Sequence, residues 1–221
     1  MDATNADFVV ATGDLTNQGI EPEYAALAGV VARSGKRIHL VPGNHDHMNG
    51  LHDFVTTSEG ALENAADTAG YEENIGPRWY SFDYGGVHFV SIDWHTWTLG
   101  LDRQAQTAWL TADLAHVPAD MPWILLFHDQ PDQVLMDLLP RPPVATFSGH
   151  RHTDRTFVLN GVLHVNTPTV FFAGLDSSPP THRIAQWDGT RVTTETVTGG
   201  HAHVHQPAYC ARERCVVVSP P

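Results

Sequence analysis

One stretch of this sequence constrains the fold more than any other: residues 41–46, which read Val-Pro-Gly-Asn-His-Asp. It ends a short apolar run at residues 37–41 that has the pattern of a buried β-strand. A proline and a glycine then break the strand. If the strand is parallel, the polar side chains that follow it reach the carboxyl edge of the sheet, where α/β proteins bind ligands. Asn44 offers an oxygen suited to a divalent cation, His45 an imidazole, and Asp46 a carboxylate that can orient that imidazole.

Three other apolar runs are also followed at once by side chains that can bind a metal. They span residues 7–12, 123–127 and 144–147, and each has the length and composition of a buried strand. The side chains that follow them are those of Asp14, His128, His150 and His152. Because the ends of parallel strands meet at one edge of a sheet, we expect these groups to converge with Asn44 on a single pocket that holds a cation.

The order of the predicted elements indicates a mixed α/β fold. A helix over about residues 21–33 joins the first strand to the strand ending at residue 41, and this strand–helix–strand order implies a parallel pair. A hairpin is expected over residues 80–92. The last third has an antiparallel pattern, because Asn160-Gly161 and Asp188-Gly189 are strong signals for hairpin turns.

The composition excludes several classes of protein. At 221 residues and 42% hydrophobic content the chain fits one domain with a core of its own. Its formal net charge of −13 argues against nucleic-acid partners, which require a basic face. An apolar run of about 18 residues, which a membrane helix needs, does not occur, and no signal peptide is visible. The expected location is therefore cytoplasmic by default, with a longer, exported parent protein as the open alternative.

Taken in order, Gly13-Asp14, residues 43–46, His128 and residues 149–152 resemble the signature of the calcineurin-like metallophosphoesterase superfamily. The match extends over roughly residues 7–197. The resemblance implies an α/β fold of the four-layer αββα type, in which two mixed β-sheets face each other between flanking helices.

The resemblance also implies a binuclear centre of divalent ions such as Mn, Fe or Zn. Asp14 would bridge the two ions. The second site would be completed by Asn44, His128 and His150, and the first would include His152. Carboxylate, amide oxygen and imidazole are ligand types that suit these metals.

The reaction implied by the resemblance is hydrolysis of a phosphoester. A metal-activated hydroxide would attack phosphorus in line. His45 would stabilise the charge of the transition state or protonate the leaving oxygen, and Asp46 would hold the ring of His45. Asp129 and Gln130 stand close to where many relatives that cleave phosphodiesters carry a second histidine and a proline.

The sequence departs from the family pattern at its start, where residues 1–6 lack the first motif, Asp-x-His. We therefore expect the first strand to be missing, the second metal site to be complete and the first to be partial. A strand edge should also be left unpaired. The chain could be a fragment of a longer enzyme, a one-metal enzyme with low activity, or a non-catalytic relic.

Two functions follow as predictions. The first is a metal-dependent phosphoric ester hydrolase, either a phosphodiesterase or a phosphatase. The alternative is a catalytically impaired or dead binding domain of the same fold that keeps one metal site. The domain is expected over residues 1–198, followed by an irregular tail at residues 199–221. In that tail Cys210 and Cys215 could close a small disulfide loop or remain thiols.

Several other polar residues have a functional and a structural interpretation. His95 is a candidate substrate contact, and Arg151 could neutralise a phosphate or point to solvent. His47 is expected to be a solvated loop residue, with contact to substrate as the alternative. The histidines within predicted strands are expected to be packing residues; these are His39, His88 and His164.

Overall fold

The structure, a computed structural model, describes residues 5–49, 67–170 and 178–198, and beyond them the backbone of three short strands. The strands are β1 Phe8–Thr12, β2 Arg37–Val41, β3 Tyr80–Tyr84, β4 Val87–Ser91, β5 Trp123–Leu126, β6 Ala145–Ser148, β7 Arg155–Leu159, β8 Val162–Asn166, β9 Thr181–Trp187, β10 Val192–Thr198, β11 His201–Val204, β12 Ala208–Ala211 and β13 Arg214–Val216. The helices are α1 Glu21–Arg33, α2 Thr68–Asn74, α3 Trp94–Thr98, α4 Arg103–His116 and α5 Gln133–Leu138, with a 3-10 turn at His45–His47. No helix of the described residues has the length and hydrophobicity to cross a bilayer.

The largest sheet has eight strands in the order β13-β12-β7-β8-β6-β5-β4-β3. Its central strands β4, β5, β6 and β8 pair in parallel, and antiparallel neighbours flank them. The loops that leave β5 and β6 therefore emerge at the same edge of the sheet, and these loops carry His128 and His150.

Two smaller sheets cover one face of the large sheet. The first is the parallel pair β1–β2, and the second has the order β11-β10-β9. A shared apolar cluster joins them to the large sheet, and it includes Val10, Val41, Ile124, Leu126 and Trp187. Within the described residues β1 pairs only with β2, so its other edge carries no strand. This arrangement agrees with the expected sandwich, except that the smaller face is built from two sheets. The expectation that the first strand is missing stays a prediction.

Helices α3, α4 and α5 cover the opposite face of the large sheet. A second apolar cluster forms this interface and includes Trp94, Leu110, Leu125, Phe127 and Leu135. Each of these side chains is buried, and full burial of one large apolar side chain contributes about 1.5–3 kcal/mol. The mixed α/β sandwich expected from the sequence is thus confirmed.

The segment beyond residue 198, expected to be irregular, contains three short strands. β11 extends the smaller sheet and β12–β13 extend the edge of the large sheet. The register places Cys210 opposite Cys215, a backbone arrangement compatible with a disulfide or with two thiols. The division into a domain and a tail remains a prediction.

Candidate functional site

Four strand ends deliver polar side chains to one point. Asp14 follows β1, Asn44 follows β2, His128 follows β5 and His150 follows β6. Asp14, His128 and His150 each offer a ligand atom, and these three atoms lie within 4.8 Å of one another. His128 Nε2 is 3.1 Å from Asp14 Oδ2, and His150 Nδ1 is 3.0 Å from Asn44 Oδ1. The set predicted for the second metal site is therefore assembled in space, although its role as a metal site stays a prediction.

Glycine is required at two positions for these loops to approach each other. Gly13 has a φ of +92°, and a β-carbon there would collide with the ring of His128. A β-carbon on Gly43 would overlap the backbone nitrogen of Asp14. The glycines that precede Asp14 and Asn44 thus allow the ends of β1, β2 and β5 to meet.

His128 is held in one tautomer by the backbone. Its Nδ1 lies 2.7 Å from the carbonyl oxygen of Thr12, which can only accept a hydrogen bond, so Nδ1 carries the proton. Nε2 is then the atom that faces Asp14 and His150. Burial opposes the charged form of His128, but the hydrogen bond and the charge of Asp14 outweigh it and raise the pKa of His128. A metal ion at Nε2 would therefore have to displace a well-held proton.

The other two ionisable groups of the cluster are in the forms that bind metals. Burial tends to raise the pKa of Asp14, but the hydrogen bond and charge of His128 lower it below its usual value. Burial and the nearby charge of His128 lower the pKa of His150 to about 4. At neutral pH the site thus offers a carboxylate, an amide oxygen and the imidazole of His150, and the imidazole of His128 joins them when the proton on its Nε2 is displaced. This donor set fits a divalent ion of the Mn, Fe or Zn type.

Asp46 connects two loops of the candidate site. Its buried carboxylate accepts hydrogen bonds from the backbone nitrogens of Thr16, Leu15 and Gly43 and from the hydroxyl of Thr16, at 2.8–3.2 Å. The ring of His45 instead bonds through Nδ1 to the carbonyl oxygen of Asn17, at 2.7 Å. Asp46 therefore ties the loop of Asp14 to the loop of Asn44, and its role in holding the ring of His45 stays a prediction.

Three further predicted site residues lie close to the cluster but outside it. His152 is not part of the group of mutually close ligand atoms. Arg151 is exposed, in agreement with its interpretation as a residue that points to solvent. His95 is half-buried. Burial lowers its pKa, and the charges of Asp129 and His128 act on it, which places it beside the cluster.

Sequence reasoning missed the carboxylate of Asp129 and the burial of His47. Asp129 Oδ1 lies 4.0 Å from His150 Nε2, and its buried Oδ2 has no hydrogen-bond partner in the part of the chain that the structure describes. His47 is 2% exposed, and its Nε2 lies 3.1 Å from Asp93 Oδ2. Arg78 binds the same carboxylate oxygen at 3.0 Å. The expectation that His47 is solvated is therefore wrong. Asp93 lies two residues after the end of β4, so its position just beyond a strand was the available signal.

The histidines within strands are packing residues, as expected. The His39 ring stacks on Phe82 with centroids 3.6 Å apart, and His164 Nδ1 lies 2.9 Å from the hydroxyl of Thr146. His88 lies between two carboxylates, with Nδ1 2.6 Å from Asp83 and Nε2 2.8 Å from Asp113.

Comparison with known proteins gives a consistent result. The family model for calcineurin-like phosphoesterases matches residues 2–154. A protein of Rhodococcus erythropolis named "Probable cyclic nucleotide phosphodiesterase" is 29% identical over 78% of this chain and 56% of its own length. A cAMP/cGMP dual specificity phosphodiesterase of Mycobacterium tuberculosis is 30% identical over 75% of this chain and 51% of its own. The chain thus spans about half the length of these relatives.

The fold is also similar to that of a solved structure. The purple acid phosphatase from yellow lupin seeds aligns with a TM-score of 0.57 and 16% sequence identity, over 91% of this chain and 46% of the lupin chain. At this level of identity the similarity concerns the fold alone, and it agrees with the layered α/β sandwich described above.

Proposed function

Since the chain belongs to the calcineurin-like phosphoesterase family, we propose that it is a metal-dependent phosphodiesterase for small phosphodiesters of the cyclic-nucleotide type. The relatives named as cyclic nucleotide phosphodiesterases support this choice of substrate. The net charge of −13 favours a small substrate over a nucleic-acid polymer.

One observation carries the proposal: ligand atoms of Asp14, His128 and His150 lie within 4.8 Å of one another. These residues come from three different strand ends, two in the large sheet and one in a smaller sheet. Packing alone does not require a carboxylate and two imidazoles to converge where the sheets meet. A shared cation gives all of them a partner.

We assign the second metal site to Asp14, Asn44, His128 and His150. A divalent ion, when bound, supplies positive charge that polarises the phosphoester and lowers the pKa of water at the site. The chain itself orients the ligands: the carbonyl oxygen of Thr12 fixes the tautomer of His128. For a first metal site we propose Asp14 as the shared ligand and His152, which lies outside the group of close ligand atoms.

His45 is proposed to act on the leaving oxygen. Its backbone N–H donates to Asp14 Oδ1 at 3.1 Å, which holds it against the cluster. Its Nδ1 must carry a proton, because the neighbouring carbonyl oxygen of Asn17 can only accept. Proton transfer to the substrate would therefore take place at Nε2. His95, beside the cluster, is proposed to contact the substrate, and the exposed Arg151 is a further candidate for that role.

The proposal is tested by hydrolysis of bis(p-nitrophenyl) phosphate and cyclic AMP with added Mn²⁺. We expect turnover that depends on Mn²⁺ and is abolished in Asn44→Ala and His150→Ala. Thr146→Val is the matched control, because it removes a buried hydrogen bond on β6 without touching the cluster. A folded wild-type chain that binds Mn²⁺ but turns over neither substrate contradicts the proposal.

That same outcome would favour the second candidate function, a binding domain that keeps the fold and one metal site. The observation in its favour is that the described residues bring together one group of close ligand atoms, those of Asp14, His128 and His150, and that His152 is not part of it. Titration with Mn²⁺ separates the two functions further. One bound ion per chain without turnover indicates the binding domain, and turnover with either one or two ions indicates the enzyme.

A further inference from the structure

We propose that Asn166 and Arg183 are positioning residues that hold the loop carrying His150 in its ligand-binding conformation. The inference rests on the function proposed above, because it assigns these two residues to the same site. Neither touches the cluster of ligand atoms. They act through the loop at residues 149–154, which we call the His150 loop.

The His150 loop has a backbone that needs support. His150 has a φ of 60° and His152 a φ of 49°. Residues with a β-carbon rarely adopt this left-handed conformation, because the β-carbon crowds the backbone. Such residues persist where the surrounding structure fixes them in place. The His150 loop contains two of them, separated by one residue.

Asn166 provides the first support, since its side chain bonds to both ends of the His150 loop. It is 2% exposed and ends β8, opposite Ser148 on β6. Its Nδ2 donates to the carbonyl oxygen of Gly149 and to Ser148 Oγ. Its Oδ1 accepts from Thr153 Oγ1 at 2.8 Å. One amide group therefore joins the residue before His150 to the residue after His152.

Arg183 provides the second support, from the neighbouring sheet. It lies on β9, and its side chain is 4% exposed. Its Nη2 donates to the carboxylate of Asp154, at the end of the His150 loop, and to the carbonyl oxygen of Asn166 at 3.1 Å. Arg183 thus bonds both to the His150 loop and to Asn166, and it links them to the smaller sheet. We call Asn166 and Arg183 together the clamp.

The environment of Arg183 indicates that its bonds to Asp154 and Asn166 are its main polar interactions. Among the described residues its buried Nε and Nη1 have no hydrogen-bond partner, and burial lowers its pKa despite the charge of Asp154. Burying a guanidinium with unsatisfied donors is costly. We therefore assign Arg183 to holding the conformation of the His150 loop rather than to stabilising the core.

The support determines where the imidazole of His150 points. His150 Nδ1 lies 3.0 Å from Asn44 Oδ1 and 3.2 Å from His128 Nε2. The backbone of the loop fixes the position of the His150 α-carbon. A small shift of the backbone at Gly149 or Thr153 would therefore move Nδ1 away from the other ligands. Mutation of a group that hydrogen-bonds to a metal ligand and orients it typically weakens metal binding by about 10–100-fold.

The first experiment uses the metal-free protein, so it does not depend on the proposed activity. Amide hydrogen exchange at residues 150–153 is measured in wild type, Asn166→Ala and the control Thr146→Val. The control loses a buried hydrogen bond to His164 on the same strand as Asn166. We expect exchange at these residues to accelerate at least about tenfold in Asn166→Ala only. Equal exchange in wild type and Asn166→Ala, or equal acceleration in the control, would overturn the proposal.

The second experiment measures Mn²⁺ affinity by calorimetry. Asn166→Ala and Arg183→Met should bind Mn²⁺ about 10–100-fold more weakly than Thr146→Val, and Arg183→Lys should recover part of the loss because it keeps the positive charge. If Asn166→Ala does not fold, Thr153→Val replaces it, since that variant removes only one hydrogen bond of the clamp. Unchanged Mn²⁺ affinity in folded clamp variants contradicts the inference. If the wild type binds no Mn²⁺, the proposed function is contradicted instead. The hydrogen-exchange comparison then still tests whether Asn166 and Arg183 hold the His150 loop.

Discussion

His128 Nδ1 lies 2.7 Å from the carbonyl oxygen of Thr12, a residue 116 positions earlier in the chain. This hydrogen bond connects the end of β5 in the large sheet to the end of β1 in a smaller sheet. It also leaves Nε2 of the imidazole facing Asp14, at 3.1 Å. The same side chain therefore joins two sheets and presents a ligand atom to the cluster.

The two roles of His128 can be separated by mutation. In His128→Asn the amide Nδ2 can still donate to Thr12, but the variant has no atom in place of Nε2. We expect Mn²⁺ affinity to fall at least about 100-fold with little loss of stability. His128→Ala should lose the affinity and, in addition, about 1 kcal/mol of unfolding free energy for the hydrogen bond. Calorimetry and urea denaturation measure the two quantities. Equal stability of both variants would show that the bond to Thr12 contributes nothing.

Binding of Mn²⁺ should strengthen as the pH rises from 6 to 8. The pKa of His128 is raised above its usual value of 6.5, so at pH 6 the proton competes with the metal for the imidazole. At pH 8 more of the imidazole is neutral and available. Calorimetry at fixed ionic strength measures the affinity, and proton release in buffers of different ionisation enthalpy provides an independent check. A pH-independent affinity would exclude His128 as a ligand.

Asp46 is expected to be important for stability rather than for proton transfer. Asp46→Asn places an amide among hydrogen-bond donors from Thr16, Leu15 and Gly43, and we expect it to lower the free energy of unfolding by about 3 kcal/mol. Glu21→Gln, a charge change on the exposed start of α1, should cost less than about 0.5 kcal/mol. Denaturant unfolding compares the two. If Asp46→Asn changes the stability little but abolishes the pH dependence of turnover, Asp46 orients His45 as predicted from the sequence.

The buried ion pair of Asp93 predicts a loss of stability at low pH. Burial tends to raise the pKa of Asp93, but the hydrogen bond and charge of His47, with help from Thr96 and Arg78, lower it from 3.8 to about 2. A lowered pKa in the folded state stabilises the protein above the pKa of the unfolded state. This contribution, about 2 kcal/mol, is lost as the pH falls from about 4 to about 2. Urea unfolding at several pH values measures this loss of unfolding free energy. In Asp93→Asn the decrease in stability between about pH 4 and pH 2 should be smaller by this amount. A variant with the pH profile of wild type would contradict the assignment.

Two glycine substitutions should have opposite effects. Gly43→Ala would overlap the backbone of Asp14 and should reduce both Mn²⁺ affinity and stability, the latter by at least about 2 kcal/mol. Gly29→Ala lies inside α1, where the new β-carbon meets only the flexible side chain of Arg33. This variant should gain up to about 1 kcal/mol from helix propensity. Thermal unfolding and calorimetry compare the variants. Normal Mn²⁺ affinity in Gly43→Ala would show that the loops do not need this close approach.

The sequence alone predicted the residues that converge at the candidate site and determined the type of fold. Asp14, Asn44, His128 and His150 could be identified because each directly follows an apolar strand, and two follow a glycine that the close approach requires. These are local patterns, visible within about six residues. The family resemblance depended on the same short motifs, and the match over residues 2–154 confirms it.

Only the tertiary structure decided the partners of those residues. Asp46 adjoins His45 in sequence, but its carboxylate bonds to a loop about 30 residues away. His47 has the sequence context of a solvated loop, yet it is buried against Asp93. Asn166 and Arg183 carry no sequence signal that links them to His150. A side chain makes its hydrogen bonds with whatever donors and acceptors the packing of sheets brings within about 3 Å, and that packing depends on the whole chain rather than on its neighbours in sequence.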